Sequence, residues 1–232
     1  MPSISDSVRT WVSPPERIAT FDVARELLAD PECRTLCLRS SFDFVRRAIT
    51  DIVNDDVDGD IVLVGVWRGG LAVYIQSLLI ELGQLHRKLY LCDTFSGFTP
   101  PDKKVFEKDY AMYQYFLSLR APSGSPDEVT SAMRIWDMPV HNVEFLVGDI
   151  AVTAENISNS VSFLLVDVDF YSPTMSALEG VHQWMTGGGY VYVDDYGVNE
   201  YQCREAVDNF VSRSVKRIEI TRINEFAVFW RI

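Results

Sequence analysis

Positive charge is scarce in this sequence. Its 232 residues include 21 Lys and Arg against 33 Asp and Glu, so the formal net charge is −12. Because the binding of nucleic-acid phosphates requires clustered basic side chains, this balance argues against a nucleic-acid partner. The excess of carboxylates instead favours the binding of a cation.

Long apolar runs are also missing. No stretch approaches the roughly 20 apolar residues that a membrane span needs, so we expect no membrane partner. The N-terminal stretch Met1–Pro15 is polar and contains prolines, unlike a secretory signal peptide. We therefore expect a cytoplasmic protein.

Cysteine and histidine are few, and neither indicates a site. The cysteines lack the spacing of a zinc site, and we interpret them as reduced core thiols: Cys33, Cys37, Cys92 and Cys203. Cys33 and Cys37 would share one face of a predicted helix. No histidine follows a predicted strand, so we expect structural or surface positions for His86, His141 and His182.

The rest of the composition is typical of a globular domain. Hydrophobic residues make up 47% of the chain and aromatic residues 12%, which argues against disorder and allows a substantial core. We predict two helices over Arg17–Ala29 and Cys33–Asn54, within a helical extension of residues 1–57 that precedes a main domain of residues 58–232. These helices would cover a site or join subunits, and we expect a homo-oligomer, a dimer or larger.

One strand–helix–strand crossover organises the main domain. The short apolar runs Phe163–Val166 and Tyr190–Val193 predict strands buried on both faces, as in a parallel sheet. Between them, Pro173–Met185 has helical spacing, with its proline suited to a first turn. The glycines at 187–189 are predicted to end this helix before the second strand.

Carboxylates follow both strands of this crossover. Asp167 and Asp169 come after the first strand, and Asp194 and Asp195 come after the second. In an open α/β sheet these strand ends meet at the ligand crevice, where four carboxylates would repel one another unless a cation lay between them. Mg²⁺ suits such oxygen ligands. The alternative is that one pair caps a helix or lies in a solvated turn.

A glycine-bearing loop follows the predicted strand Asp60–Gly65. The loop, VWRGG at Val66–Gly70, leads into a predicted helix over Leu71–Leu82, which is how a doubly wound nucleotide-binding half begins. It lacks the glycine spacing of the dinucleotide fingerprint, and close helix packing is the alternative explanation. The next predicted strand, Lys88–Cys92, is followed by Asp93, which would accept hydrogen bonds from a ribose diol or lie in a surface turn.

Five aromatic residues mark the predicted helix Val105–Leu119. We interpret residues 102–125 as a lid over a substrate, with Tyr110 and Tyr113 as substrate contacts. Ordinary core packing is the alternative.

The remaining predicted elements complete a seven-stranded plan. They are a helix over Asp127–Met138, a strand over Val143–Val147, a helix over Tyr201–Ser212, and a C-terminal hairpin of Lys216–Thr221 and Phe226–Arg231. A mostly parallel α/β sheet that ends in an antiparallel hairpin is the plan of the Rossmann-like class I S-adenosylmethionine methyltransferases.

Four segments resemble, in order and spacing, the macrocin O-methyltransferase family: VGVWRGG (Val64–Gly70), DTFSGFTPPD (Asp93–Asp102), DVDFYSPTMSALE (Asp167–Glu179) and GGYVYVDDYG (Gly188–Gly197). The resemblance runs from Gly59 or nearby to the C-terminus. It implies a Mg²⁺-dependent enzyme that transfers the methyl group of S-adenosylmethionine to a hydroxyl of a small natural product. The expected acceptor is a sugar of a glycosylated molecule.

The resemblance also implies roles for individual residues. Asp167, Asp194 and Asp195 would be the metal ligands. The residues implied in cofactor binding are Gly65, Val66, Trp67, Arg68, Gly69, Asp93, Thr94, Ser96, Gly97, Asp149, Ile150 and Asp167. The chain departs from the family at Leu63, where the family has an acid two residues before the first of these glycines.

A base must accept the proton of the acceptor hydroxyl. A carboxylate beside the metal is the candidate, Asp167 first and Asp169 second. Catechol-type relatives have a lysine where this chain has Phe170, which favours a sugar or another diol.

Three other classes of protein stay open: a non-catalytic S-adenosylmethionine-binding protein of the same fold, an NAD-dependent oxidoreductase and a metal-dependent hydrolase. The missing dinucleotide spacing and the terminal hairpin argue against the oxidoreductase.

Overall fold

The computed structural model describes residues 23–30, 32, 34–120, 123–157 and 159–232. Within these residues seven strands form one sheet: β1 Asp60–Val64, β2 Leu89–Asp93, β3 Val143–Val147, β4 Val161–Val166, β5 Met185–Val193, β6 Thr221–Arg222 and β7 Val228–Arg231. Their order is β3-β2-β1-β4-β5-β7-β6. Strands β1 to β5 pair in parallel, and β7 is antiparallel to both of its neighbours. The predicted fold class is confirmed.

Helices cover both faces of the sheet. They are α1 Val23–Leu28, α2 Arg39–Asn54, α3 Gly70–Glu81, α4 Glu107–Leu119, α5 Pro126–Ile135, α6 Ile150–Thr153, α7 Tyr171–Val181 and α8 Cys203–Arg213. No helix of the described residues is long and apolar enough to cross a membrane.

Strand β1 shows why both faces must be covered. Ile61 and Leu63 point into the core that contains apolar residues of α1, α2, α3 and α5, whereas Val62 and Val64 point into the core with α7 and α8. Successive side chains of a strand face opposite sides, so a continuous apolar run needs a layer on each side. The carboxyl ends of the parallel strands consequently form the open edge between two helical layers.

The second N-terminal helix begins later than the sequence predicts. Helix α2 starts at Arg39 rather than at Cys33, and residues 34–38 are not helical. The backbone N–H of Gly70 donates to the Arg34 carbonyl at 3.0 Å, which ties this segment to the start of α3. Cys37 therefore does not lie on a helix, and Cys33 and residues 17–22 of the first predicted helix lie outside the described residues.

The glycine run has a different place from the predicted one. Helix α7 ends at Val181, a short 3₁₀ helix covers His182–Trp184, and the glycines at 187–189 lie inside β5. There the pairing of β5 with β4 shifts register, and a Cβ on Gly189 would lie 2.6 Å from the Ser162 carbonyl oxygen. The glycines thus allow a bulge against β4 and do not end a helix.

The C-terminal hairpin is shorter than predicted. Strand β6 contains only Thr221–Arg222, so most of the predicted strand Lys216–Thr221 lies outside the sheet. The turn that follows is closed by Asn224, whose Oδ1 accepts the N–H groups of Phe226 at 2.9 Å and Ala227 at 2.8 Å.

Candidate active site

A cavity of about 890 Å³ lies at the carboxyl ends of β1, β2, β4 and β5. Loops that follow these strands form its floor, and α4 with the segment before α2 forms its walls. The volume lies within the range of small-molecule and cofactor sites.

The loop after β1 and the loop after β4 touch at the floor of this cavity. Gly65 has φ +90°, and a Cβ there would lie 1.7 Å from the Asp167 carbonyl oxygen. Only glycine combines this backbone conformation with so close an approach. The contact brings the predicted cofactor loop directly against the first predicted metal ligand.

Asp93 organises the loop after β1. Its Oδ2 accepts the N–H groups of Val66 at 2.7 Å and Trp67 at 2.9 Å, and its Oδ1 accepts the N–H of Phe95 at 2.8 Å. Trp67 adopts φ +47°, which is uncommon for a non-glycine residue. The carboxylate therefore holds the turn that carries the predicted cofactor residues, while it also lines the cavity.

Most of the other predicted cofactor residues also line the cavity. After β2, the Thr94 hydroxyl donates to the Gly97 carbonyl at 2.6 Å, and Ser96 lies in the same turn. After β3, Asp149 and Ile150 line the wall, and the Asp149 carboxylate caps α6 by accepting the Ala151 N–H at 2.9 Å.

Arg68 and Gly69 do not line the cavity. The Arg68 guanidinium turns towards α5, where its Nε lies 2.8 Å from Glu128 Oε1. Gly69 has φ +86°, and a Cβ there would lie within 2.9 Å of the Val129 side chain. The structure thus places these two predicted cofactor residues where the loop packs on α5.

The four predicted carboxylates come together at the ends of β4 and β5. Among the described residues, these carboxylates and one cysteine form two compact groups of possible ligand atoms, and Asp167 belongs to both. One group is Asp167, Asp169 and Asp195, and the other is Cys37, Asp167 and Asp194. Asp194 and Asp195 therefore serve different groups, and the set predicted from the sequence, Asp167, Asp194 and Asp195, is not one compact group.

Burial and mutual repulsion shift the pKa values of these acids upwards. Burial raises the pKa of Asp167 and Asp169 well above the usual range, and the neighbouring carboxylates raise both further. Burial raises the pKa of Asp194 to about 6, and it also raises that of Asp195. Burial and the neighbouring negative charges thus disfavour the ionised forms of these acids. The cluster is electrostatically suited to a cation.

Cys37, interpreted from the sequence as a core thiol, instead lines the cavity. Its Sγ lies 3.6 Å from Asp194 Oδ2 and 3.9 Å from Asp167 Oδ2. Burial is the main cause that raises the pKa of this thiol, so the neutral thiol is a hydrogen-bond donor to the carboxylates. The residue is 130 positions from Asp167 in the chain, and no local pattern indicates the contact.

The aromatic residues near the cavity form two sets, of which the first belongs to the predicted lid. Tyr113 lines the cavity, and Tyr110 does not. The ring centroids of Tyr110 and Tyr113 are 6.5 Å apart, and the Lys103 ammonium group lies over the Tyr110 ring. A second set was not predicted as a unit. It forms an aromatic wall of rings from four segments, with centroids 4.7 to 6.4 Å apart: Phe98, Phe116, Phe170 and Tyr201.

The histidines lie outside the cavity lining. His182 packs edge-on against Phe210, with ring centroids 5.0 Å apart, and burial lowers its pKa. The cavity therefore presents carboxylates, and not imidazoles, as its proton acceptors.

This sheet order, with an antiparallel last pair and a site at the carboxyl ends of the parallel strands, defines an α/β methyltransferase fold. The solved structure of the O-methyltransferase NovP matches it with a TM-score of 0.80 and 26% sequence identity, over 85% of this chain and 81% of that one. A sequence model described as macrocin-O-methyltransferase (TylF) matches residues 22–232. The chain belongs to this family, and it is an O-methyltransferase.

Two relatives are O-methyltransferases named for the compounds on which they act. The demethyldecarbamoylnovobiocin O-methyltransferase of Streptomyces niveus is 30% identical over 81% of this chain and 71% of its own length. The 8-demethyl-8-(2,3-dimethoxy-alpha-L-rhamnosyl)-tetracenomycin-C 4'-O-methyltransferase of Streptomyces olivaceus is 27% identical over 92% of this chain and 85% of its own length. The resemblance read from the four sequence segments is confirmed.

Proposed function

We propose that this chain is a metal-dependent enzyme that transfers the methyl group of S-adenosylmethionine to a sugar hydroxyl of a glycosylated natural product. One observation carries the proposal: the glycine loop and the carboxylate cluster open onto the same cavity, with Gly65 against Asp167. A methyl donor and an acceptor hydroxyl bound there would lie side by side. Two relatives, named as methyltransferases of a novobiocin compound and of a tetracenomycin compound, support the acceptor class.

The residues along β1, β2 and β3 fit the cofactor. The loop after β1 would hold its methionine end, and Asp149 and Ile150 lie where the adenine is expected. Asp93 Oδ1 accepts one backbone N–H, which leaves acceptor capacity for a ribose hydroxyl. S-adenosylmethionine supplies a methyl group that its sulfonium already activates. The protein has to position this group and exclude water.

The donor set also fits a divalent cation. Asp167, Asp169 and Asp195 form an all-oxygen group of the kind that Mg²⁺ prefers, and Asp194 lies beside it. When bound, Mg²⁺ would lower the pKa of an acceptor hydroxyl held next to it. Two carboxylates at the end of β4 can then accept the proton at a carboxylate oxygen, Asp167 first and Asp169 second.

The walls favour a ring-bearing acceptor. The aromatic wall of Phe98, Phe116, Phe170 and Tyr201 lines the same cavity as the carboxylates, and a glycoside presents both ring carbons and hydroxyls. The free thiols of Cys37, Cys92 and Cys203 support the proposed cytoplasmic location, where cysteines stay reduced.

Two measurements test this function. Calorimetry with S-adenosylhomocysteine and with Mg²⁺ should detect both on the wild type, whereas Asp195→Asn should keep the first and lose most of the second. The matched control is Glu219→Gln, which removes an exposed carboxylate outside the cavity. Methyl transfer is then measured with demethyldecarbamoylnovobiocin and with simple rhamnosides, with and without EDTA.

The outcomes separate the alternatives. Binding of both ligands with methyl transfer that EDTA abolishes supports the proposal. Binding of the cofactor product without transfer to any glycoside favours the non-catalytic alternative. Failure of S-adenosylhomocysteine to bind would contradict the cofactor assignment itself.

A further inference from the structure

Asp109 is a buried carboxylate on helix α4, which is otherwise poorly buried. It is 0% exposed, and it is the buried residue of α4, whose other side chains are all at least partly exposed. A carboxylate that loses its water must find hydrogen-bond donors in the protein, because an unpaired buried charge is strongly unfavourable. Its donors therefore identify what α4 is held against.

The donors come from the starts of two other helices. Asp109 Oδ2 accepts the N–H of Tyr171, the first residue of α7, at 2.7 Å. Asp109 Oδ1 accepts the N–H of Gln202, the residue that precedes α8, also at 2.7 Å. N–H groups at helix starts lack partners within their own helix, and the positive end of the helix dipole favours an anion. One carboxylate thus joins three helices.

Both joined segments continue from the carboxylate loops. Tyr171 is two residues after Asp169, and Gln202 follows Tyr201, which belongs to the aromatic wall. The ring of Phe106, just before α4, stacks on Tyr171 with centroids 4.8 Å apart. The first turn of α4 is therefore docked onto the segments that shape the metal side of the cavity.

The segment after α4 is docked onto the opposite side. A Cβ on Gly124 would lie 1.7 Å from the Trp67 carbonyl oxygen, so the backbone there runs directly over the glycine loop. Glu128 pairs with Arg68 of that loop at 2.7 Å. Helix α4 consequently spans the cavity from the carboxylate loops to the cofactor loop, and Phe116 extends from its last turn into the aromatic wall.

We propose that Asp109 is a positioning residue, a latch that holds α4 across the cavity and aligns the aromatic wall with the carboxylate cluster. Asp109 acts through Tyr171 and Gln202, and it does not take the proton from the hydroxyl of the methyl acceptor. Both carboxylate oxygens are needed, because each accepts a different N–H. An amide at this position keeps one acceptor and presents its own N–H groups to the other donor.

The test is amide hydrogen exchange followed by mass spectrometry on the whole chain, with Mg²⁺ and S-adenosylhomocysteine present. In Asp109→Asn we expect exchange within α4 to rise about 10- to 100-fold, as expected when a buried charged acceptor is lost, while the central strands β1 and β4 keep their protection. The matched control is Glu107→Gln, an exposed carboxylate on the same helix, which should change α4 exchange less than about threefold.

A second measurement distinguishes an effect on α4 from an effect on the cofactor site. Calorimetry should give the same S-adenosylhomocysteine affinity for Asp109→Asn and wild type within about threefold, since the segment after α4 still holds the glycine loop. With an acceptor that the wild-type enzyme methylates, Asp109→Asn should raise the KM for that acceptor by a larger factor than it lowers kcat. Loss of kcat alone would instead make Asp109 a proton-transfer group and overturn the positioning role.

Exchange needs no turnover, so this inference and the proposed function can fail separately. Unchanged α4 exchange in Asp109→Asn would overturn the latch even if the protein methylates glycosides. If Asp109→Asn does not fold, Phe106→Ala tests the same docking point without an uncompensated buried group. Because Asp109 keeps both of its hydrogen bonds in that variant, α4 exchange should rise by less than about tenfold, which is what the loss of one ring stack allows. A rise of about 100-fold would mean that ring stacking, and not Asp109, holds α4, and it would overturn the proposal.

Discussion

Asp167 links two groups of ligand atoms that differ in chemistry. Its partners in one group, Asp169 and Asp195, are oxygen donors, whereas the other group adds the sulfur of Cys37 to Asp194. Because Mg²⁺ is a hard cation, we expect Asp169→Asn to weaken Mg²⁺ binding at least about tenfold. Cys37→Ser should change it less than about threefold. Titration calorimetry in metal-free buffer provides the measurement.

The opposite order of these effects would assign the cation to the group of Cys37, Asp167 and Asp194. If Cys37→Ser and Asp194→Asn weaken Mg²⁺ binding more than Asp169→Asn does, the all-oxygen group is not the site. Far-ultraviolet circular dichroism on each variant controls for loss of the fold.

The candidate site could be predicted from the sequence only where a carboxylate directly follows a predicted strand. Asp167, Asp169 and Asp194 each come just after a short apolar run, and parallel strand ends meet at one edge. Cys37 and Asp109 lie on other segments, and their contacts depend on how distant parts of the chain pack. The direction of Arg68 was also unpredictable, because its partner Glu128 belongs to α5.

At the scale of elements, the segment after α4 approaches the glycine loop as closely as Gly65 approaches the Asp167 carbonyl. A Cβ on Gly124 would meet the Trp67 carbonyl, a backbone atom that cannot rotate away. We expect Gly124→Ala to destabilise the fold by about 1–3 kcal/mol and to weaken S-adenosylhomocysteine binding. Urea unfolding and calorimetry measure the two effects.

Gly187 provides the matched control for this prediction. It lies in β5, and a Cβ there would have no atom within 4 Å. We expect Gly187→Ala to change both measurements little. Equal behaviour of the two variants would show that Gly124 has room to move and that the segment does not hold the loop.

Elements could be predicted where one local pattern decides them. Strands β1, β2 and β3 are short apolar runs with turn residues after them, and each lies within a residue or two of its predicted bounds. The glycines of β5 were assigned wrongly because two local explanations compete: glycine ends helices, and it also permits a bulge. The close approach to Ser162 decides between them, and that contact is not visible in the sequence.

For the molecule as a whole, the carboxylate cluster links folding stability to pH. Burial raises the pKa of Asp194 to about 6, and burial with neighbouring acids raises the pKa of Asp167 and Asp169. An acid whose pKa is higher in the folded state binds its proton more tightly there than in the unfolded chain. Its stabilising effect is complete below the unfolded pKa near 4 and is lost as the pH rises through the folded value.

We therefore expect the metal-free protein to be less stable at pH 8 than at pH 5, by about 1–3 kcal/mol in urea unfolding with EDTA. Asp194→Asn should show a smaller difference, because its side chain does not titrate; His182, whose lowered pKa acts in the opposite direction, is common to both proteins. Mg²⁺ should stabilise the wild type more at pH 8, since a cation binds the ionised carboxylates. Equal pH dependence in the two proteins would mean that the cluster is not under electrostatic strain.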